Sequence, residues 1–308
     1  MYENALKGYL IVAWMLFGRF DLEPLKELPG TIARKMLNEA RLRSRLPIGF
    51  VGRVFYFHEE IGSTNSEAMR LAESGSPHGT LVLAESQTSG KGREGRQWIT
   101  LPGTSLAFSV ILHPSQISTD QWLKVVGLGA LSVSDTLSEI GLPARIKWPN
   151  DVLLSGKKVA GILAETKWVG EDIAFTVLGV GLNVTQAAIP PDAEFNFPAT
   201  SVAEVLGRSL DREDLFISIL ENVWKYLQAI DTPDLIAVWQ SNLAYLDQEV
   251  LVRKANVEKT GRLIGLTPKG ELKISESSGR EIVIGYGDVR LRPIIKSEGD
   301  ESASESSQ

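Results

Sequence analysis

Short runs of apolar residues, some alternating with polar ones, recur along the chain and predict β-strands. Most are rich in β-branched or aromatic residues and are bounded by turn residues, as is typical of strands. Such runs lie at residues 53–57, 80–85, 104–112, 144–148, 152–154, 158–165 and 173–184. Residues 155–157 (Ser-Gly-Lys) between two of these runs predict a hairpin. The chain is therefore expected to build a sheet from strands that are distant in sequence.

Segments with helical periodicity separate and follow these strands. They lie at residues 66–73, 118–140, 200–206, 212–230 and 234–243. Thr64 with Glu67 predicts a capping box at the start of the first helix. The second ends at a Gly-Leu-Pro stop, and its apolar stripe predicts a face laid on the sheet. Together these elements predict an α+β fold, a mixed sheet with helices packed on it.

From residue 247 the pattern changes to short alternating strands with a glycine every few positions, which predicts a small β-barrel ending near residue 293. Residues 297–308 are acidic, serine-rich and without large apolar residues, so disorder is expected there. The expected organisation comprises an N-terminal extension (1–50), a main domain (51–245), the small barrel (246–294) and a tail (295–308).

Residues 1–50 are the least readable part of the sequence. The apolar run at 9–17 is too short to span a bilayer and has no small-residue cleavage site, so we expect no membrane segment. Residues 22–46 are helix-like and become basic towards their end. Met1 and Met36 are both possible starts of the natural protein.

Composition narrows the classes of function. The 308 residues are 43% hydrophobic and 23% charged, with a net charge of -6 and a pI of about 5.3, so a generally basic nucleic-acid-binding surface is disfavoured. The chain has no cysteine, which excludes disulfides and thiolate catalysis, and its three histidines show no metal-ligand spacing. A reducing cytoplasm is the expected compartment.

Residues 84–98, here called the basic loop, join two predicted strands with the sequence AESQTSGKGREGRQW. Gly90, Gly92 and Gly95 permit positive φ and close approach to a ligand, and three cations lie among or beside them. The glycine spacing matches G-x-G-x-x-G, but no helix follows it, so a dinucleotide-binding turn is rejected. The loop is expected to wrap a phosphate, although the spacing alone fits a solvated basic turn equally well.

Further polar clusters interrupt apolar segments. Ser63, Thr64 and Asn65 lie at a strand-to-helix corner, where polar side chains suit a small ligand. Residues 147–151 read KWPND, and Gly161 within a strand indicates close approach of a ligand or another backbone. Asn183 ends an apolar strand and needs a partner.

These motifs, in this order, closely resemble those of the biotin-protein ligases, and the resemblance covers about residues 53–293. The motifs are STN (63–65), ESQTSGKGREGRQW (85–98), KWPND (147–151), KVAGIL (158–163), GVGLNV (179–184) and GYGDVRLR (285–292). The resemblance implies a mostly antiparallel sheet like that of class II aminoacyl-tRNA synthetases, followed by an SH3-like barrel. It also implies a ligase that activates biotin with Mg-ATP as biotinyl-5'-AMP and transfers biotin to a lysine of a biotin carboxyl carrier protein.

The resemblance assigns roles residue by residue. Biotin would be bound by Ser63, Thr64, Asn65, Gln87, Gly90, Arg93, Lys158 and Gly161. The nucleotide would be bound by Lys91, Arg93, Arg96, Trp98, Lys147, Asn150, Asn183 and Arg292. Lys158, Arg93 and Asp151 would be catalytic, with Asp151 also a Mg²⁺ ligand. As other interpretations, Trp98 packs under the site and Arg292 is only a charge at the barrel edge.

Two departures from the family pattern affect these expectations. Lys91 stands where the loop of the family has arginine, so bidentate contacts are lost, and Glu94 places an acid among the cations. Residues 1–50 are short for the DNA-binding winged helix of many bacterial relatives, so we expect no DNA binding. A homodimer is possible. The alternatives are a lipoate ligase or octanoyl transferase of the same fold, and a biotin-responsive transcriptional repressor.

Overall fold

A seven-stranded mixed sheet forms the centre of the computed structural model, which describes residues 36–46, 53–113, 122–189, 197–254, 257–286 and 289–294. Its strands are β1 (Phe55–Ile61), β2 (Leu81–Gln87), β3 (Ser105–Leu112), β4 (Arg145–Lys147), β5 (Asp151–Leu154), β6 (Lys157–Val169) and β7 (Asp172–Asn183). They are arranged in the order β1-β2-β3-β7-β6-β5-β4, with β1 and β2 parallel and the other neighbours antiparallel. The predicted mixed, mostly antiparallel sheet is confirmed.

Helices cover both faces of this sheet, which explains why β3 is buried along its whole length. The helices are α1 (Glu39–Arg45), α2 (Thr64–Glu73), α3 (Trp122–Glu139), α4 (Val202–Leu206), α5 (Arg212–Gln228) and α6 (Pro233–Ser241). On one face α2 packs against Val82, Ile111 and Val177 in a small apolar cluster. On the other face α3 and α5 pack in the main core. The predicted elements are confirmed with boundaries shifted by a few residues.

The start of α2 differs from its prediction. Ser63 is the N-cap, and its hydroxyl accepts a hydrogen bond from the backbone N–H of Ser66, while Glu67 pairs with Arg70. The expected capping box of Thr64 and Glu67 is therefore wrong. Thr64 is unavailable as a cap because its backbone and side chain both contact Gln87 of β2.

A buried ion pair joins the sheet to α5 and to the segment before α1. The guanidinium of Arg212 donates to both carboxylate oxygens of Glu85, at 2.8 and 3.1 Å. Glu85 also accepts hydrogen bonds from the backbone N–H groups of Leu37 and Gly103. Both charged side chains are almost fully buried. A buried carboxylate needs this set of donors, so Glu85 fixes where the three segments meet.

The basic end of the N-terminal extension contacts the main domain. Arg41 and Arg45 of α1 pair with Glu213 and Asp214 of α5, and Arg43 pairs with Glu39 and donates to the Phe55 carbonyl. Arg41 and Arg45 therefore join α1 to α5, and Arg43 joins α1 to the start of β1. The apolar run at 9–17 and most of the extension lie outside the described residues.

The C-terminal strands form a second, antiparallel sheet. Its members are β8 (Glu249–Lys254), β9 (Val257–Leu266), β10 (Leu272–Ser275), β11 (Glu281–Ile284) and β12 (Val289–Pro293), in the order β11-β10-β9-β8-β12. Within the described residues this sheet is open between β11 and β12, so closure into a barrel is not shown. The sheet is tied to the main domain where Trp148 Nε1 donates to the Gly270 carbonyl at 2.9 Å. The predicted tail lies outside the described residues.

Among the helices in the described residues, none is both long enough and apolar enough to cross a membrane.

Candidate active site

The predicted site residues meet in one cleft of about 440 Å³. The cleft opens on the sheet face that carries α2, beyond the N-terminus of that helix. Fifteen predicted residues line it: Ser63, Thr64, Asn65, Gln87, Lys91, Arg93, Arg96, Trp98, Lys147, Asn150, Asp151, Lys158, Gly161, Asn183 and Arg292. Gly90 is the predicted residue that does not line it. The fold thus brings together residues from all six motifs.

Two lysines and one carboxylate form the charged centre of the cleft. Lys158 Nζ lies 2.6 Å from Asp151 Oδ1, and Lys147 Nζ lies 3.1 Å from Asp151 Oδ2. Lys147 and Asp151 flank the tight corner between β4 and β5, and Lys158 follows on β6, so adjacent strands supply all three groups. The three formal charges sum to +1, which favours an anionic ligand.

Burial and charge act in opposite directions on the Asp151 carboxyl. Burial alone would raise its pKa, but the positive charges of Lys158 and then Lys147 outweigh this effect and lower the pKa to about 2. Burial lowers the pKa of the Lys147 ammonium, and Asp151 opposes that shift. Asp151 therefore stays ionised near neutral pH and suits the orientation of a cation better than removal of a proton.

Arg93 reaches from the basic loop to the same corner. Its Nη1 donates to Asn150 Oδ1 at 2.8 Å, and its guanidinium lies 4.7 Å from the ring centre of Tyr286, which follows β11. Asn150 in turn donates to the Ile162 carbonyl. Arg93 and Lys158 are thus held by neighbouring residues, Asn150 and Asp151, at one cleft, as their predicted shared role requires.

The opposite end of the cleft is neutral and polar. Gln87 Oε1 accepts from the backbone N–H of Thr64 at 2.8 Å, and Gln87 Nε2 donates to Thr100 Oγ1. Ser109 Oγ lies 2.9 Å from Thr64 Oγ1 and 2.6 Å from Asn65 Oδ1. These buried side chains hold one another in place. Such an arrangement suits a small polar ligand whose amide or ureido groups exchange hydrogen bonds with fixed partners.

A trough of small residues crosses the sheet between the two ends. Gly161 of β6 pairs with Gly181 of β7, which pairs with Ala107 of β3. The indole ring of Trp98 lies in this trough, since a Cβ added at Gly181 would be 2.4 Å from it. Gly161 was expected to admit a ligand or a backbone, and in the structure the nearest approach comes from the side chains of Trp98 and Lys158. The Trp98 ring therefore packs against β6 and β7 and lines the cleft, and its place under bound substrate stays a prediction.

The expected positive φ is found at one of the three loop glycines. Of the three, Gly95 alone has positive φ, at 71°, and the non-glycine Glu94 beside it has a φ of 58°. A Cβ at Gly90 would lie 2.3 Å from the Trp98 carbonyl oxygen, so Gly90 is needed for the loop to close on itself. Gly90 therefore serves the shape of the loop, and its contact with biotin stays a prediction.

The outer cations of the loop face carboxylates. Arg96 pairs with Glu94 at 2.9 Å, and Lys91 pairs with Glu165 of β6 at 3.3 Å. All four side chains are partly exposed. A phosphate entering here would compete with these carboxylates for the two cations.

The remaining predicted residues lie where β7 and the C-terminal sheet reach the cleft. Asn183 donates to the Thr200 carbonyl at 3.2 Å, which supplies the partner that its position required. Arg292 and Lys147 both lie over the Phe197 ring, at 4.8 and 4.3 Å from its centre. Arg292 therefore belongs to the cleft, and its interpretation as only an edge charge is wrong.

The sequence analysis assigned no role to several residues of the site. They are Ser109, Glu165, Phe197 and Tyr286. Ser109 lies in a uniformly buried strand, and Tyr286 lies in the segment that follows β11. Strand register could have indicated Ser109 and Glu165, because they share a sheet face with Gly181 and Gly161.

The cleft does not fit a protein-held Mg²⁺. Asp151 is the single carboxylate among the lining residues, and each of its oxygens contacts a lysine. Among the described residues, no three His, Cys, Asp or Glu side chains are grouped to hold a metal ion. The donor set thus gives no support to the predicted role of Asp151 as a metal ligand.

Comparison with known proteins shows that the chain is similar to a family of protein ligases. Residues 58–183 match the model of the biotin/lipoate A/B protein ligase family. The biotin--[acetyl-CoA-carboxylase] ligase of Paracoccus denitrificans is 33% identical over 232 residues, covering 72% of this chain and 94% of that protein. The bifunctional ligase/repressor BirA of Bacillus subtilis is 30% identical over 248 residues, covering 79% of this chain and 76% of that protein.

A solved structure agrees with these relatives. The biotin protein ligase from Aquifex aeolicus in complex with biotin and ATP matches with a TM-score of 0.68 and 32% identity, covering 79% of this chain and 100% of that chain. The chain belongs to the biotin protein ligase family. The resemblance that the motifs indicated is confirmed.

Proposed function

We propose that this chain is an ATP-dependent biotin-protein ligase that attaches biotin to a lysine of a biotin carboxyl carrier protein. The observation that carries the proposal is the shared cleft of Lys158 and Arg93, held side by side at Asp151 and Asn150. Family membership and the similar structure with biotin and ATP support the choice of substrates.

The first step joins two anions, and the cations of the cleft address their repulsion. A biotin carboxylate oxygen attacks the α-phosphorus of ATP, the bond from that phosphorus to the bridging oxygen breaks, and pyrophosphate leaves. Lys158 and Arg93 would lie where the carboxylate and the α-phosphate meet, and would stabilise the charge that develops there. Mg²⁺ would enter with ATP as part of the substrate.

The second step transfers the acyl group. The lysine amine of the carrier attacks the acyl carbon of biotinyl-5'-AMP, the bond to the phosphate oxygen breaks, and AMP leaves as the nitrogen loses its proton. Asp151 would orient the incoming ammonium, since it remains a carboxylate. The basic loop would cover the adenylate and exclude water.

The proposed roles of the lining residues differ between the neutral end of the cleft and its charged part. Ser63, Thr64, Asn65 and Gln87 would surround the ring system of biotin. Lys91, Arg96, Lys147 and Arg292 would contact phosphates, and Asn150 and Asn183 would bind the nucleotide. Trp98 would have to shift within the trough as substrates enter, because its ring lies over Gly161 and Gly181.

Mass spectrometry of a carrier domain tests the proposal directly. The full chain is incubated with biotin, Mg-ATP and the carrier, and the carrier is expected to gain one biotinyl group at one lysine. Omission of ATP is the control and should abolish the gain. An unmodified carrier in the complete mixture, with the protein folded, would contradict the proposal.

A lipoate ligase or octanoyl transferase and a repressor are the two alternatives. Calorimetry with biotin and with lipoate distinguishes the first alternative from a biotin ligase. If the protein binds lipoate but not biotin, our proposal is wrong. Specific binding of operator DNA at defined salt, without AMP release, would favour the repressor. The name of the Bacillus subtilis relative includes a repressor activity, which makes this measurement necessary.

Loss of Arg93 is expected to release the reactive intermediate. Arg93→Gly removes the hydrogen bond from the loop to Asn150 and the contact with Tyr286. Labelling of lysines on a bystander protein, relative to the adenylate formed, should rise about tenfold, the scale of one lost hydrogen bond to a charged group. The measurement is biotin incorporated into albumin, with Lys157→Ala as control. Labelling confined to the carrier would show that Arg93 does not retain the adenylate.

The finer architecture is also a proposal. We propose that the C-terminal sheet has the SH3-like barrel form of the family, supported by its short antiparallel strands and its buried apolar side. Residues 51–245 and 246–294 would then be the catalytic domain and the barrel, and the enzyme would work in the cytoplasm without binding DNA. Light scattering with and without biotin and ATP would test for the possible homodimer.

A further inference from the structure

Glu165 of β6 contacts two separate parts of the site. Its Oε2 accepts a hydrogen bond from Asn65 Nδ2 at 2.8 Å, and its Oε1 lies 3.3 Å from Lys91 Nζ in the basic loop. It also lines a hollow of about 360 Å³ with Lys91 and Arg93. One carboxylate therefore bridges the neutral end of the cleft and the loop.

The Asn65 side of this bridge is rigid. Asn65 is 4% exposed, its Oδ1 lies 2.6 Å from Ser109 Oγ, and a Cβ at Gly179 would be only 2.0 Å from that oxygen. The amide therefore fills the space above a glycine and is held from both sides. Glu165 is oriented by this fixed partner and so presents its second oxygen at a defined point.

The Lys91 side can open. The Lys91 side chain is 43% exposed, and that of Glu165 is 30% exposed, so solvent screens their attraction. A lysine makes a single-point contact where an arginine would form a fork. A weak contact of this kind suits a loop that must admit substrates and then close over them.

The partners of the other loop cations differ. Arg96 pairs with Glu94, two residues away, so this pair shapes the loop without tying it to the sheet. Arg93 reaches Asn150 at the β4–β5 corner, on the nucleotide side of the cleft. Lys91 contacts Glu165 of β6, which in turn contacts Asn65. This contact therefore holds the loop at the neutral end of the cleft, where biotin is proposed to bind.

We propose that Glu165 is a positioning residue that latches the basic loop, through Lys91, to the rigid amide of Asn65. The proposal rests on the function proposed above for this cleft. Once pyrophosphate has left, the latch sets how long the loop stays closed, and hence how much biotinyl-adenylate remains bound until the carrier arrives. Glu165 itself touches neither reacting group.

Tryptic cleavage of the full chain without ligands tests the latch independently of catalysis. Glu165→Gln keeps an oxygen for Asn65 but removes the charge that attracts Lys91. Cleavage after Arg93 or Arg96 is expected to become about threefold faster, the scale of one partly exposed ion pair. Lys91→Met should have the same effect, and the double variant should be no faster than either single one. Unchanged cleavage, or multiplied effects in the double variant, would overturn the latch.

The chain offers a matched control on the same strand. Lys167 of β6 pairs with Glu73 of α2 at 3.2 Å, and both side chains are about half exposed. Glu73→Gln removes a similar pair away from the loop and should leave the cleavage rate unchanged. An equal acceleration in this variant would show a general loosening of the fold and would overturn the latch.

The functional test measures how much biotinyl-adenylate is released and how much is transferred to the carrier. Glu165→Gln should raise the fraction of biotinyl-adenylate released before transfer about threefold, while Lys91→Arg should keep release at or below the wild-type level. Glu165→Ala should also weaken biotin binding, because Asn65 loses its acceptor. If wild type forms no adenylate, the proposed function fails while proteolysis still tests the latch. If wild type is active and release is unchanged in Glu165→Gln, the latch is wrong.

Discussion

Lys158→Ala is expected to lower the rate of adenylate formation by about 10²-fold or more, the scale reported for loss of one electrostatic stabiliser in an active site. The ammonium of Lys158 lines the cleft and lies 2.6 Å from Asp151. Its removal takes away positive charge where biotin carboxylate and α-phosphate would meet. The measurement is pyrophosphate release at saturating biotin and ATP.

The variant should still fold, because Asp151 keeps Lys147 as its counter-ion at 3.1 Å. Thermal unfolding checks this point. The neighbouring Lys157 provides the matched control, since it pairs with Glu204 at 3.6 Å and its side chain is 49% exposed. Lys157→Ala should leave pyrophosphate release unchanged. Normal release from a folded Lys158→Ala variant would remove Lys158 from the mechanism.

Arg212→Met is expected to lower the free energy of unfolding by about 3–5 kcal/mol, the cost of breaking a buried pair by removing one partner. Glu85 is 1% exposed and would keep two backbone donors but lose its counter-ion. The measurement is urea unfolding at neutral pH. Adding Glu85→Gln, which removes the orphaned charge, should recover about 1–2 kcal/mol of this loss.

A surface pair on the same helix is the control. Lys225 lies 3.3 Å from Asp135, and its side chain is 59% exposed. Lys225→Met should change the free energy of unfolding by less than about 1 kcal/mol. If Arg212→Met costs no more than this control, the buried pair does not hold α5 against the sheet. Because Glu85 also binds Gly103, beyond the basic loop, the variant should impair the ligase as well.

Element positions were predictable because the signals for them are local. Apolar runs bounded by glycine and proline mark the strands, and helical spacing marks α2, α3 and α5 within a few residues. The cap of α2 was not predictable in this way. Thr64 and Glu67 have the right spacing, but contacts of Thr64 with Gln87 and Ser109 leave Ser63 as the cap.

The candidate site was predictable as a set of motifs but not as an arrangement. Resemblance named Lys158, Arg93 and Asp151, and the structure adds that Asp151 is neutralised by two lysines. Its carboxylate therefore serves as a counter-ion, where the sequence suggested a metal ligand. Likewise the loop carboxylate Glu94 turns out to pair with Arg96.

The sequence by itself determined the family, the order of strands and helices, and the residue types available for joining two anions, since these depend on local patterns and ordered motifs. Tertiary structure alone decided which groups meet. Glu165 reaches both Asn65 and Lys91, Trp98 lies over Gly181, and Tyr286 reaches Arg93 from the segment that follows β11. The reason is that strand register and packing bring together residues up to about two hundred positions apart in the sequence. A local sequence pattern cannot predict such contacts.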